Sequence, residues 1–170
     1  MVLREGGCDC EHVEEELVEI VQAFARRLIA RSRPVAGAIE VLGALRGRYR
    51  IGLVSNYPFA PLVVQSLEQF GILPYLETVV ISDTVGWVKP HERPFRLALE
   101  NLGVEPGAAL MVGDDLANDM RGAKSLGLRT AWLAPQAPEA EDPAVDVHLR
   151  GLPELLGYLS AQAKCSPQRP

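Results

Sequence analysis

The chain has 170 residues, of which 48% are hydrophobic and 23% are charged, and its formal net charge is −5 at neutral pH. This length fits one globular domain with at most a small appendage, and the composition excludes fibrous and low-complexity proteins. The negative net charge argues against a nucleic-acid-binding surface, so an anionic ligand would need local positive groups or a metal ion.

Neither a secretory signal nor a membrane anchor is indicated. The first residues contain no apolar stretch of signal-peptide length, and no apolar run approaches the ~20 residues of a membrane span. Three cysteines in a chain of this size do not indicate a disulfide scaffold. We therefore expect a cytoplasmic protein with reduced thiols and no membrane partner.

Helical and strand-like patterns alternate along the chain. In chain order, the predicted elements are helix 11–31, helix 35–45, strand 49–54, helix 61–70, strand 78–81, helix 94–102, strand 108–112, helix 116–126, strand 129–133, strand 145–149 and helix 152–161. Short strands alternating with helices indicate an α/β domain with a mostly parallel sheet. We divide the chain into an N-terminal tail and helix (1–33), an α/β core (34–162) and a loose tail (163–170).

Candidate site residues cluster where predicted strands end. A hydroxyl, an amide and several carboxylates follow the strands that end near residues 54 and 112, and one of only three lysines lies in a stiff Lys-Pro loop between them. Ligands of parallel sheets bind at the carboxyl ends of the strands. We expect these side chains to share one rim of the sheet: Ser55, Asn56, Lys89, Asp114, Asp115 and Asp119.

The acidic run has two interpretations. An aspartate near a helix N-terminus is favourable, and Asp115 is a sound N-cap candidate. Three carboxylates within about one helical turn, at Asp114, Asp115 and Asp119, repel each other unless a cation lies among them. Hard oxygen ligands completed by water and a substrate phosphate are what Mg²⁺ prefers. Spacing alone leaves capping and metal binding both open.

Three segments together resemble the second, third and fourth motifs of the haloacid dehalogenase-like (HAD) superfamily. They are IGLVSN at 51–56, VKPHERPF at 88–95 and MVGDDLANDMRGA at 111–123, in the family's order. The similarity extends over about residues 34–133. It is the combination of three motifs that is specific, since each alone is common.

The resemblance implies a Rossmann-like, mostly parallel sheet flanked by helices, with the helix at 11–31 as a remnant of a helical cap. It also implies Mg²⁺-dependent phosphoryl transfer through an aspartyl-phosphate. Ser55 and the Asn56 backbone would then bind phosphoryl oxygens. Lys89 would neutralise charge on the nucleophile and on the transferring group.

The same resemblance assigns Asp114 to the Mg²⁺ ion, Asp119 to the metal or its waters, and Asp115 to a neighbouring acidic position. The family's first motif, a strand ending in the nucleophilic aspartate, has no match. The only aspartate before Ser55 is Asp9, and no buried strand precedes it. In the family that strand lies between the strands that here end at Ser55 and near 112, so the chain looks like a member truncated before the nucleophile.

We therefore expect a HAD-like hydrolase, a Mg²⁺-dependent phosphatase acting on a small phosphorylated metabolite. The alternative is a non-catalytic relative that keeps the metal and phosphate site and binds ligands or pairs with a subunit. Dehalogenases share the late motifs, so phosphatase and dehalogenase are not separated by them. A phospho-receiver domain would carry its acids first and its lysine last. Nucleic acid is not an expected partner, and self-association into a homo-oligomer is left open.

Overall fold

The computed structural model describes residues 10–137 and 142–165. The chain divides into two compact units, Met1–Arg33 and Pro34–Pro170. The first unit contains α1 (Cys10–Arg31), which carries an arginine in its last turn, as suits the negative end of the helix dipole. Among the helices of the described ranges, none has the combination of length and apolar character that a membrane span requires.

Helices and strands alternate in the second unit as predicted. In chain order they are α2 (Ala38–Leu45), β1 (Gly52–Ser55), α3 (Ala60–Gln69), β2 (Thr78–Ile81), α4 (Ser82–Val85), α5 (Glu92–Leu102), β3 (Leu110–Gly113), α6 (Gly122–Ser125), β4 (Arg129–Leu133), β5 (Val147–Leu149) and α7 (Glu154–Cys165). A π-helix, Leu116–Arg121, precedes α6 directly.

Most predicted elements are present with bounds shifted by a few residues, and two predicted segments differ in kind. The single helix expected at 116–126 is a π-helix followed by the short α6. Residues 163–165, expected to belong to a loose tail, are instead the end of α7, which continues to Cys165. Residues 166–170, the rest of that predicted tail, lie outside the described residues.

The strands form two parallel sheets. β1 pairs with β2, with Gly52 opposite Thr78, and the order of the second sheet is β3-β4-β5. The parallel strands, with helical connections between β1 and β2 and between β3 and β4, confirm the predicted α/β class. Across the described residues, β1 pairs with β2 alone and β3 with β4 alone, so these two strands do not close on each other.

One edge of β1 faces away from β2. The Ile51 carbonyl accepts a hydrogen bond from the Glu77 amide, 2.7 Å, beside the start of β2. Carbonyls alternate between the two edges along a strand, so the Val54 carbonyl, three residues later, faces the opposite edge. This edge lies next to the residues that the sequence marks as functional.

Two hydrophobic clusters hold the second unit together. One joins α2, the three-stranded sheet and α7 through Val41, Leu45, Ala131, Leu149 and Leu155. The other joins α5 to α6 through Phe95, Leu99, Ala123 and Leu128. A Cβ on Gly122 would lie 2.9 Å from the Phe95 ring and 3.1 Å from the Pro90 Cα. Glycine at that position therefore lets the Lys-Pro loop approach α6 closely.

Asp115 caps the helix that follows β3. Its Oδ1 accepts hydrogen bonds from the backbone amides of Ala117 (2.9 Å) and Asn118 (2.8 Å), and its Oδ2 accepts from the Asn118 side chain at 2.6 Å. The Asp115 carbonyl accepts from the amides of both Asp119 and Met120, which widens the first turn. The hydrogen bonds from Asn118 are the largest cause that lowers the pKa of Asp115 below its ordinary value.

Replacing this cap is expected to destabilise the protein in a pH-dependent way. Asp115→Ala should lower the free energy of unfolding by about 1 kcal/mol at pH 7, the usual effect of losing an aspartate cap. Because the folded-state pKa is lowered, the stabilisation is complete above the ordinary carboxyl pKa and is lost as pH falls through the folded value. The deficit should therefore narrow below about pH 4.

Urea denaturation at pH 7 and at pH 3 measures this difference. Glu105→Ala is the matched control, because Glu105 precedes a 3₁₀ turn and its side chain makes no capping hydrogen bond. A deficit for Asp115→Ala of equal size at both pH values would contradict the assignment.

Candidate active site

Lys89 links the two sheets at the ends of their strands. Its ammonium group donates a hydrogen bond to the Val54 carbonyl at 2.8 Å and another to Asp119 Oδ1 at 2.6 Å. Val54 belongs to β1, and Asp119 belongs to the π-helix that follows β3. The predicted meeting of the Lys-Pro loop with both strand ends is therefore present in the fold.

The Lys89–Asp119 ion pair is buried, with 9% and 4% of the two residues exposed. Removing two charges from water is costly, and the pair is tolerated because each charged group has further hydrogen bonds. Asp119 Oδ2 accepts from the Asp115 amide at 3.2 Å, and the ammonium also contacts the β1 carbonyl. The ammonium is thus held at a fixed position beside the end of β1.

Gly113, the last residue of β3, makes room for Asp119. A Cβ at this position would overlap Asp119 Oδ2 and lie 2.6 Å from the carboxyl carbon. Any side chain would therefore push Asp119 away from Lys89. The glycine in the Gly113-Asp114-Asp115 run is a requirement of this close approach.

The side chain of Asn56 clamps the backbone of Lys89. Asn56 Nδ2 donates to the Lys89 carbonyl at 2.8 Å, and the Lys89 amide donates to Asn56 Oδ1 at 2.7 Å. Both functions of the amide are satisfied by one residue of the opposite loop. Asn56 therefore fixes the distance between Ser55, its neighbour at the end of β1, and the lysine.

The segment after β2 supports the loop after β1. Ser82 Oγ donates to the Tyr57 carbonyl at 3.1 Å, and Asp83 Oδ2 accepts from the Ala60 amide, 2.8 Å away, at the start of α3. Sequence reasoning missed these two positions. Their signal was available, because Ser82 and Asp83 directly follow a predicted strand at the same edge of the sheet.

Asp114 lies apart from this buried network. It is exposed, directly after β3, and it lines a cleft of about 430 Å³ with Leu133–Ala137, the segment that ends β4 and follows it. Its backbone carbonyl accepts a hydrogen bond from Trp132 Nε1 at 2.9 Å. Asp114 is thus at the carboxyl end of the strands, where ligands of parallel sheets bind.

The three acids have different partners. Asp115 caps the helix and Asp119 binds Lys89, while Asp114 is exposed on the cleft. Over the ranges that the structure covers, no three His, Cys, Asp or Glu side chains are grouped as a complete metal site. Asp9, the only aspartate before Ser55, lies outside those ranges.

A family model of haloacid dehalogenase-like hydrolases matches residues 3–127. Pyrimidine 5'-nucleotidase YjjG of Escherichia coli is 36% identical over 124 residues, which are 72% of this chain and 55% of the relative. A glyceraldehyde 3-phosphate phosphatase of Pyrococcus furiosus is 47% identical over 126 residues, covering 73% of this chain and 52% of the relative. The chain spans about half the length of these curated relatives.

Solved structures agree with the sequence relatives. The HAD phosphatase from Thermococcus onnurineus superposes with a TM-score of 0.72 at 33% identity, over 79% of this chain and 61% of that one. The three motifs lie within residues 51–123, inside the matched segment. The chain belongs to the haloacid dehalogenase-like hydrolase family.

Proposed function

We propose that this protein is a Mg²⁺-dependent phosphatase acting on a small phosphorylated molecule. The observation that carries the proposal is the placement of the Lys89 ammonium, which contacts the end of β1 and the helix after β3 at once. A fixed positive charge at the carboxyl ends of parallel strands suits an anionic ligand. The names of the phosphatase relatives support the same class of substrate.

Ser55, Asn56 and Lys89 would hold the phosphoryl group. The Ser55 hydroxyl and the Asn56 backbone amide are donors at the end of β1, and the lysine adds charge beside them. Hydrogen bonds between donors and phosphate oxygens are strong because the acceptor is charged. The lysine ammonium is fixed by its two hydrogen bonds before the ligand arrives, which is how such sites stabilise charge that develops during phosphoryl transfer.

The donor set fits Mg²⁺ with Asp114 as its direct protein ligand. Mg²⁺ is commonly held by one or two carboxylates, with waters and substrate phosphate oxygens completing six positions. Asp114 offers an exposed carboxylate, whereas the carboxylate of Asp115 is occupied by capping and that of Asp119 by Lys89. When bound, the metal would supply charge stabilisation to the phosphoryl oxygens.

The remaining component is a nucleophile, which in this family is an aspartate at the end of a strand. The motif of that strand has no match in the 170-residue sequence. We propose that the strand carrying this aspartate pairs between β1 and β3, with the aspartate next to Lys89. Two observations support this position. Among the described residues, each of these strands is paired on one edge alone. The Lys89 ammonium contacts the Val54 carbonyl at the other edge of β1, so a strand that pairs there would end beside the ammonium.

A second candidate function is phosphate binding without hydrolysis. It is favoured by the absence of a match to the first motif in the 170-residue sequence. The two functions are distinguished by assaying the purified chain with p-nitrophenyl phosphate and Mg²⁺, alongside calorimetric titration with inorganic phosphate. Mg²⁺-dependent hydrolysis favours the phosphatase. Phosphate binding without turnover favours the second function.

Asp114→Asn is expected to reduce Mg²⁺-dependent hydrolysis about 100-fold, because a metal ligand contributes several kcal/mol of charge stabilisation. For a chain without turnover, the same substitution should abolish the dependence of phosphate affinity on Mg²⁺. Glu77→Gln is the control, since Glu77 pairs with Arg50 next to the opposite ends of β1 and β2. Equal effects of the two substitutions would refute the role of Asp114.

The buried ion pair should show strong coupling in a double-mutant cycle. Lys89→Met and Asp119→Asn are each expected to lower the free energy of unfolding by about 3–5 kcal/mol, because each leaves a buried group without its partner. The double variant should lose several kcal/mol less than the sum. Denaturation in urea measures all four species, and simple additivity would show that the pair does not organise the site.

A further inference from the structure

Three residues form a row across the three-stranded sheet next to Asp114. Gly113 of β3 is opposite Trp132 of β4, and Trp132 is opposite His148 of β5. Neighbouring positions on parallel strands place their side chains on the same face of the sheet. The Trp132 and His148 rings accordingly stack, with centroids 5.0 Å apart and planes inclined by 27°.

Each ring also donates a hydrogen bond to the backbone at the carboxyl edge. Trp132 Nε1 donates to the Asp114 carbonyl at 2.9 Å. His148 Nε2 lies 2.7 Å from the Ala134 carbonyl, and since a carbonyl only accepts, this nitrogen carries the proton. The Ala134 amide in turn donates to the Leu149 carbonyl at 3.0 Å. The two rings therefore fix both walls of the cleft that Asp114 lines.

The indole hydrogen bond is not required to satisfy a buried donor. Trp132 is only half-buried, so water could satisfy its N–H in another orientation. Its acceptor is the first residue beyond the end of β3, where the strand ladder no longer holds the chain. The bond therefore restrains the backbone of a residue whose own carboxylate is exposed.

We propose that Trp132 is a positioning residue for the Asp114 carboxylate. His148 stacks on the Trp132 ring and keeps that ring in place. This inference rests on the proposed function, in which Asp114 is the Mg²⁺ ligand. Groups that orient a metal ligand by hydrogen bonding typically change metal affinity 10–100-fold when they are lost. Trp132 acts on the ligand's backbone rather than on its carboxylate, so the expected change lies at the lower end.

The test uses the full chain and its two tryptophans. Trp132→Phe retains a ring for stacking but removes the N–H, and Trp87→Phe is the matched control because Trp87 is 41% exposed. Mg²⁺ affinity is measured by calorimetry in the presence of inorganic phosphate. Trp132→Phe should weaken Mg²⁺ binding about tenfold, while Trp87→Phe leaves it unchanged and the thermal midpoints of both variants stay within about 5 °C of the wild type.

Two outcomes of this titration overturn the inference. Equal Mg²⁺ affinity of the wild type and Trp132→Phe rejects positioning while leaving the proposed function intact. An absence of Mg²⁺ binding by the wild type rejects both.

Hydrogen exchange of the indole protons, measured on the wild-type protein without metal, tests the inference even where a variant does not fold. In the wild-type protein the Trp132 indole proton should exchange with solvent at least tenfold more slowly than that of Trp87. Comparable exchange rates would also overturn the inference, because they would show that the bond to Asp114 does not persist. His148→Phe should accelerate exchange at the Trp132 indole proton, because it removes the hydrogen bond that holds the His148 ring beside Trp132. Unchanged exchange would reject the role of His148.

Discussion

The contact between the Lys89 ammonium and the Asp119 carboxylate is the interaction on which the rest of the site depends. The two residues are almost fully buried, at 9% and 4% exposure, so neither charge would be stable there without the other. Several neighbouring features follow from this pair. Gly113 has no side chain because Asp119 occupies that space, and Asn56 holds both backbone polar groups of Lys89. The loop after β1 and the helix after β3 are thereby fixed to one charged group.

The acidic run also illustrates how a protein accommodates neighbouring carboxylates by giving each of them a different environment. Asp115 is stabilised by backbone and side-chain N–H groups, which is why its pKa is lowered, and Asp119 is stabilised by an ammonium. Asp114 is left exposed at the edge of the cleft. The two interpretations of the acidic run, helix capping and ligand binding, therefore concern different residues of the run. Capping applies to Asp115, whereas Asp114 is the exposed carboxylate that we propose as the metal ligand.

The sequence predicted the elements well where hydrophobic periodicity was decisive. The strands at 78–81 and 129–133 have the predicted bounds, and α5 begins two residues earlier than predicted, at Glu92. The helix after β3 was predicted without its wide first turn, because that turn depends on Asp115 accepting two amides through one carbonyl. Hydrophobic periodicity identifies strands but not which strands pair, so the sequence did not predict the division into two sheets. The indole bond of Trp132 was likewise hidden, since it depends on the register between β3 and β4.

The Lys89 ammonium contacts the edge of β1 that pairs with no strand among the described residues. A carbonyl oxygen has two lone pairs, so the Val54 carbonyl can accept from the Lys89 ammonium and from the amide of an adjacent strand together. A strand pairing there would not need to displace the lysine, and its last residue would lie beside the ammonium. The ion pair with Asp119 keeps that ammonium in place whether or not the edge is paired, because the pair involves no atom of β1. The charge at the site is therefore established by the ion pair with Asp119 and by the contact with the Val54 carbonyl, before any further strand or ligand contributes to it.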